Sequence, residues 1–279
     1  MCKEFNELYQ QAKNFLDQKN FIISEKNLKS IIAAKLKGYP LLLVGPTGCG
    51  KTLLLTHLAE FFKGDYFYAS LNGSVTIHDL TQERVLDKNG AFIEKDMVLA
   101  KWLRAAAKNL SILHLDEINA ARPETLLALH PIMDLKGELN LPYSDEILKV
   151  TNNALLVMSA NEGDEYMGIN GMNAAFQNRY LKIHLPYIQG KQLTELLTKK
   201  TGVPEEQTAK IVKVWTRYME SKQPEQPPVS IRILERWCEL SKMLGLRSAG
   251  IVTFASLIAQ TEDDLAEIIE GDMFINLPE

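Results

Sequence analysis

Gly45-Pro46-Thr47-Gly48-Cys49-Gly50-Lys51-Thr52 fits the pattern G-x-x-x-x-G-K-[ST] without mismatch. A glycine-rich turn with a chance Lys-Thr pair would carry the same spelling, so the flanks decide. Before it, Leu41-Leu42-Leu43-Val44 reads as a short, fully buried strand, and after it Leu53 to Phe62 reads as an apolar-faced helix. Strand, loop and helix are the context in which backbone N–H groups and the positive end of a helix dipole converge on phosphate oxygens. Glycines at 45, 48 and 50 keep Cβ atoms out of that approach. Pro46, Thr47, Cys49 and Leu53 complete the cofactor-binding stretch, with Cys49 read as a backbone donor and small filler rather than a reactive thiol. Lys51 is expected to reach the β- and γ-phosphates and the Thr52 hydroxyl to ligate Mg²⁺. The implied cofactors are a nucleoside triphosphate, with ATP the expectation, and Mg²⁺.

Outward from the loop, strand and helix patterns alternate. Tyr66-Phe67-Tyr68-Ala69, Ile112-Leu113-His114-Leu115, Ala154 to Met158 and Tyr180 to Leu185 read as strands, with helices at Met97 to Ala107 and Pro123 to Met133. Two further helical spacings precede the loop, Phe5-Leu8-Tyr9-Ala12 and Leu28-Ile31-Ile32-Leu36. Ser24 is a candidate cap for the second, and Gly38-Tyr39-Pro40 ends it. Buried strands alternating with helices predict a mainly parallel sheet covered on both faces, an α/β P-loop fold. Asn89-Gly90 between apolar flanks predicts a hairpin over 85–93, and Gly137 to Val150 reads as another. After Pro186 the alternation stops, and Leu193 to Thr201, Glu205 to Ser221, Ile231 to Leu244 and Thr253 to Ile269 read as helices, with a loop containing Pro224, Pro227 and Pro228 before the third. The expected domains are a nucleotide-binding core over 1–188 and a small helical domain over 189–279.

Bulk properties exclude several classes. With 31 Lys plus Arg against 35 Asp plus Glu, the net charge of −4 argues against direct nucleic-acid binding, although a local basic pore would be compatible with it. No apolar run approaches the roughly 20 residues that cross a bilayer, so no membrane partner is expected. Met1-Cys2-Lys3-Glu4-Phe5-Asn6-Glu7 is too polar for a signal peptide, and Cys2, Cys49 and Cys238 stand in no metal-ligand spacing. Thiols in a reducing compartment, the cytoplasm, are the expectation.

The second chemical signal is Ile112-Leu113-His114-Leu115-Asp116-Glu117, an apolar strand ending in two carboxylates. Alone it is as well explained by a solvated strand end. Downstream of a full P-loop, Asp116 is expected to hold Mg²⁺, and Glu117 to polarise the attacking water. The longer run Leu115-Asp116-Glu117-Ile118-Asn119-Ala120-Ala121-Arg122-Pro123-Glu124 resembles the second nucleotide motif of AAA+ ATPases of the MoxR and dynein-related branch. Residues 134–150 and 85–93 resemble that family's hairpin insertions, and Met158-Ser159-Ala160-Asn161-Glu162 is similar to its sensor 1 segment. The resemblance implies that Asn161 positions the lytic water. Glu165-Tyr166-Met167-Gly168 through Asn173-Ala174-Ala175-Phe176-Gln177-Asn178-Arg179-Tyr180 resembles the stretch that ends in the family's arginine finger, which makes Arg179 a group offered to the neighbouring subunit. Ser230-Ile231-Arg232 looks like sensor 2, which assigns Arg232 to the γ-phosphate from a helical lid.

One departure separates this chain from processive threading enzymes of the wider superfamily: Leu71 to Leu80 contains no aromatic pore-loop residue. His78 and His114 complete no evident metal or base site and are expected to be packed or solvated. The leading expectation is therefore a Mg²⁺-dependent ATPase that assembles into a homo-oligomeric ring, a hexamer by resemblance. Such a ring would remodel or activate a client protein, often one with a von Willebrand A-type domain. A second reading is the motor subunit of a nucleic-acid-processing or restriction-type complex, GTP-using in some proteins of the branch, and a third is a nucleotide-gated binding module with little turnover.

Overall fold

The computed structural model describes residues 2–134, 137–161, 174–223, 226–275 and 277–278. They fall into two compact units, Met1–Gly45 with Gly50–Leu185, and Pro46–Cys49 with Pro186–Glu279.

The first unit opens with helices α1 (Cys2–Gln18) and α2 (Glu25–Lys37). Ser24 Oγ accepts the Asn27 N–H at 3.2 Å and so caps α2, while Gly38 ends it at φ 69°, a left-handed conformation that a side chain disfavours. Strand β1 (Leu41–Gly45) leads through the loop to α3 (Lys51–Phe61). Then follow β2 (Asp65–Ser70), α4 (Ile77–Thr81), the hairpin β3 (Gln82–Leu86) and β4 (Phe92–Asp96), α5 (Val98–Ala106) and β5 (Ser111–Asp116). The unit continues with α6 (Pro123–Ala128), α7 (His130–Met133), the hairpin β6 (Glu138–Asn140) and β7 (Ile147–Lys149), β8 (Ala154–Asn161), α8 (Ala174–Gln177) and β9 (Leu181–His184).

Five strands form one parallel sheet in the order β2-β5-β8-β1-β9. The chain leaves β1 for one side of the sheet and later returns to its other side at β9. The carboxyl end of β1 is thus a topological switch point, where α/β sheets open a ligand crevice. Alternation along the strands sorts the sheet into two faces. Leu42, Val44, Leu113, Leu115, Leu156, Met158 and Ala160 enter one continuous core with Trp102, Leu103 and Phe176. The opposite face carries Tyr66, Tyr68, Ser70, His114, Asp116, Ser159 and Asn161, which turn polar toward the carboxyl edge.

Two features depart from the sequence-based expectation in this unit. The helix expected over Pro123 to Met133 is two short helices, because Pro131 has no N–H to give to the Leu127 carbonyl and disfavours helical geometry before it. Helix α4 was not expected; it is built by a capping box in which Thr76 and Asp79 satisfy each other's backbone N–H groups. Both hairpins match the expected positions.

The second unit contains α9 (Gly190–Thr201), α10 (Glu205–Ser221), α11 (Ile231–Leu244), α12 (Leu246–Gly250), a π-helical turn Ile251–Ala255, α13 (Ser256–Ile258) and α14 (Glu262–Glu270). Its core is aromatic: Trp215, Trp237, Phe254 and Phe274 are buried, and the Trp237 and Phe274 rings stack with centroids 5.7 Å apart. Gly250 permits this stack, since a Cβ there would lie 2.3 Å from the Trp237 ring. The expectation of one helix over Thr253 to Ile269 is corrected. Ala259 is extended, and Thr261 with Asp264 forms a new capping box that starts α14. No helix among the described residues is long and apolar enough to cross a membrane.

Candidate active site

The phosphate loop has the backbone its glycines predict. Gly48 and Gly50 sit at φ 79° and 99°, where side chains are strained, and a Cβ on Gly50 would also come within 3.1 Å of the Phe21 ring. Helix α3 follows its N-cap Gly50 with no side-chain cap, and a helix N-terminus at the end of such a loop favours an anion. Lys51 is largely buried, and its Nζ donates to the Gly45 carbonyl at 2.7 Å and to Asn161 Oδ1 at 3.2 Å. This meeting follows from strand pairing: Gly45 is the register partner of Asn161 on β8. Thr52 is half-buried and Leu53 is half-exposed on the first turn of α3.

Two strands away, β5 delivers Asp116 at its last position and Glu117 just beyond. Glu117 has φ 55° and ψ 42°, a left-handed conformation that costs a non-glycine residue roughly 1–3 kcal/mol. That turn stops the strand and sends the exposed Glu117 carboxylate to Ser70 on β2, whose Oγ donates to Glu117 Oε2 at 3.1 Å. Asp116 Oδ1 accepts the Glu117 N–H at 3.0 Å and also the Ser159 hydroxyl. Asp116 Oδ2 accepts the Tyr68 hydroxyl at 3.3 Å. Behind Ser159, the buried His114 bonds Ser159 Oγ through Nε2 at 2.7 Å and Tyr66 Oη through Nδ1 at 2.9 Å. Burial first, opposed by the Asp116 charge and aided by Lys51, pushes the His114 imidazole down to about 4, so it is neutral at physiological pH.

Sequence reasoning missed Tyr66, Ser70 and Ser159, and expected His114 merely to be packed or solvated. Their signal was the register of β2, β5 and β8, which brings distant residues side by side.

Within the second unit, Tyr187 Oη donates to the Thr47 carbonyl at 2.6 Å. A Cβ on Gly48 would lie 2.9 Å from Ser230 Cβ and 3.9 Å from Arg232 Cγ, so the start of α11 abuts the loop residues that belong to this unit. Arg179 lies elsewhere. It follows α8, its Nε donates to Asp134 Oδ1 at 3.1 Å, and it precedes β9, whose first residue Leu181 pairs with the first residue of β1. The P-loop leaves the other end of β1, four residues and roughly 13 Å further along the strand. The stretch Glu165-Tyr166-Met167-Gly168 and Asn173 lies outside the described residues, as does Glu162.

The donors fit a nucleotide with a hard divalent cation. Gly48 and Gly50 hold the loop in a left-handed backbone that side chains disfavour, Lys51 supplies a cation, and Thr52 and Asp116 supply oxygens. No cluster of three or more His, Cys, Asp or Glu suited to a metal exists among the described residues. Mg²⁺ binds well to one or two protein oxygens when phosphates and waters complete its shell, and that is the donor set this chain offers.

Comparison with known proteins bears on the fold and the family. An uncharacterized protein of Staphylococcus aureus (strain bovine RF122 / ET3-1) is 29% identical over 213 residues, covering 75% of this chain and 80% of the relative. A counterpart in strain NCTC 8325 / PS 47 is 28% identical over the same length. Among solved structures, one from Cytophaga hutchinsonii, described as a "putative ATPase", superposes with a TM-score of 0.55 at 15% identity over 95% of this chain and 86% of that one; this likeness concerns the fold. The family model for the AAA domain of the dynein-related subfamily matches residues 40–180, from the foot of β1 to the start of β9. The chain belongs to the dynein-related subfamily of AAA domains and is an ATPase.

Proposed function

We propose that this chain is a MoxR-like ATPase that assembles into a ring and uses Mg²⁺-dependent ATP hydrolysis to remodel or activate a partner protein. The observation that carries this reading is the opposite placement of two groups on one sheet. Lys51, Asn161, Asp116 and Glu117 gather at the carboxyl edge, while Arg179 precedes the amino edge. An arginine so far from its own P-loop serves catalysis only if a neighbouring copy supplies the nucleotide. A guanidinium offered in this way stabilises charge on the transferring phosphoryl group and is worth about three to five orders of magnitude in such enzymes.

In this reading the loop from Gly45 to Leu53 binds the triphosphate, and Lys51 neutralises its β- and γ-phosphates. Thr52 and Asp116 hold the Mg²⁺, whose chemistry is to neutralise charge building on the phosphate oxygens. Glu117 polarises the lytic water, and Asn161, already bonded to Lys51, orients it. Arg232, beside Gly48, senses the γ-phosphate and transmits its loss to the helical unit. The two hairpins are the candidate client contacts, since Leu86, Phe92 and Ile93 near the β3–β4 tip are solvent-exposed. Family resemblance directs attention to clients with a von Willebrand A-type domain, and the absence of an aromatic in Leu71 to Leu80 favours local remodelling over threading.

Replacing Glu117 by Gln tests the assignment. The variant is expected to bind a fluorescent ATP analogue within about twofold of the parent and to lose at least about 100-fold in steady-state phosphate release, the scale of general-base loss. Unchanged turnover in Glu117→Gln would remove Glu117 from the mechanism.

A further inference from the structure

The polar atoms behind Asp116 form a continuous hydrogen-bonded chain from β2 through β5 to β8. An ionised Asp116 can only accept, so the Ser159 hydroxyl must spend its single proton on Asp116 Oδ1. Ser159 Oγ must then accept from His114 Nε2–H, and in the neutral imidazole Nδ1 is left to accept from the Tyr66 hydroxyl. Tyr66 to His114 to Ser159 to Asp116 is therefore a run of donors pointing at one carboxylate oxygen. His114 and Ser159 are fully buried, and in so dry a setting successive hydrogen bonds polarise one another. Oδ1 also accepts the Glu117 N–H, whereas Oδ2 has the 3.3 Å contact from half-exposed Tyr68. The two oxygens of Asp116 are thus unequal: Oδ1 carries two donors, the Ser159 hydroxyl and the Glu117 N–H, and Oδ2 only the longer contact from Tyr68.

We propose that Ser159, His114 and Tyr66 are positioning residues that lock the Asp116 carboxylate by its Oδ1 and so set the affinity and geometry of the divalent cation at this site. The inference rests on the reading of Asp116 as a metal-holding residue. Groups behind a ligand typically change metal affinity about 10- to 100-fold when removed, because the ligand then has to be ordered by the metal itself. A hydrophobic residue at position 114 would have sufficed for packing a strand core, and the burial of an imidazole there needs the two partners it has.

The test uses the full chain, Mn²⁺ as the spectroscopic cation and a non-hydrolysable fluorescent ATP analogue. Analogue affinity is measured in EDTA and Mn²⁺ affinity by electron paramagnetic resonance of the analogue complex. Ser159→Ala is expected to weaken Mn²⁺ binding about tenfold and to broaden the bound spectrum, while analogue affinity in EDTA stays within twofold. Tyr66→Phe, which creates no cavity, is expected to weaken Mn²⁺ two- to threefold and decides the matter if Ser159→Ala fails to fold. Asp116→Ala is expected to lose the Mn²⁺ signal, and adding Ser159→Ala to it to cost nothing more. Mn²⁺ affinity within twofold of the parent in the folded relay variants, or an equal loss of analogue affinity in EDTA, would overturn the relay. Mn²⁺ binding that survives Asp116→Ala would instead overturn the metal assignment beneath it, and the relay with it.

Discussion

The α/β sheet and the helical unit both bury polar side chains, and they satisfy them in different ways. In the helical unit the partners are local backbone carbonyls. Thr194 Oγ1 donates to Gly190, Thr201 Oγ1 to Leu197, and the indoles of Trp215 and Trp237 to Val229 and Leu246. The Thr198–Thr208 hydroxyl pair is an exception. On the polar face of the sheet the partners are side chains from neighbouring elements: Tyr66 with His114, His114 with Ser159, Ser159 with Asp116, and Lys51 with Asn161. Side chain to side chain bonds are about 10–15% of those in folded proteins. Local bonding to backbone needs only that a residue remain in its own helix. Bonding between strands fixes one side chain relative to another, which catalysis requires and packing does not.

The cysteines offer the largest contrast between the two regions. Cys238 is fully buried in the helical core, and burial pushes its thiol up to about 11 from an ordinary value of 9.0. The raised value favours the protonated thiol, so at pH 8 the reactive thiolate is about 100-fold scarcer than for an ordinary cysteine, before any steric protection. Cys49 is half-buried in the phosphate loop. Peptide mapping after iodoacetamide at pH 8 is expected to find Cys49 modified and protected by ATP, and Cys238 modified only after unfolding. Rapid labelling of Cys238 in the folded protein would show that the helical core is not the closed packing described.

Gly250 sharpens the same contrast from the side of stability. A methyl group there would lie 2.3 Å from the Trp237 ring and 2.9 Å from that of Phe274. Gly250→Ala is expected to cost about 1–3 kcal/mol by overpacking, read from denaturant unfolding followed by tryptophan fluorescence. A loss near zero would mean that the stack of Trp237 on Phe274 yields easily.

The two regions were also legible to different degrees. Gly45 to Thr52 and Asp116-Glu117 could be read because each is contiguous and bounded by strongly patterned elements. Helices α10 and α11 were legible to the residue, with Glu205 to Ser221 and Ile231 to Leu244 bounded by proline and glycine. The relay behind Asp116 was not, since Tyr66, His114 and Ser159 meet only through the registers of three strands, and one sequence does not reveal register. The break between α13 and α14 carried a local signal, Thr261 three residues before Asp264, which helical periodicity across Thr253 to Ile269 overrode. For Arg179 the sequence supplied a resemblance, and the parallel pairing of β9 with β1 supplied its distance from the loop.

A nucleotide site built from Lys51, Asp116 and Glu117 is expected to work only with Arg179 from a neighbouring copy. Subunit mixing tests it most directly, using Glu117→Gln and Arg179→Ala, each expected to be inactive alone. In a randomly assembled 1:1 mixture, half of the sites keep Glu117, and half of those face a neighbour that keeps Arg179. Recovery to about one quarter of the parent ATPase rate is expected, the product of those two halves. An active Arg179→Ala protein, or a mixture as silent as its components, would contradict it.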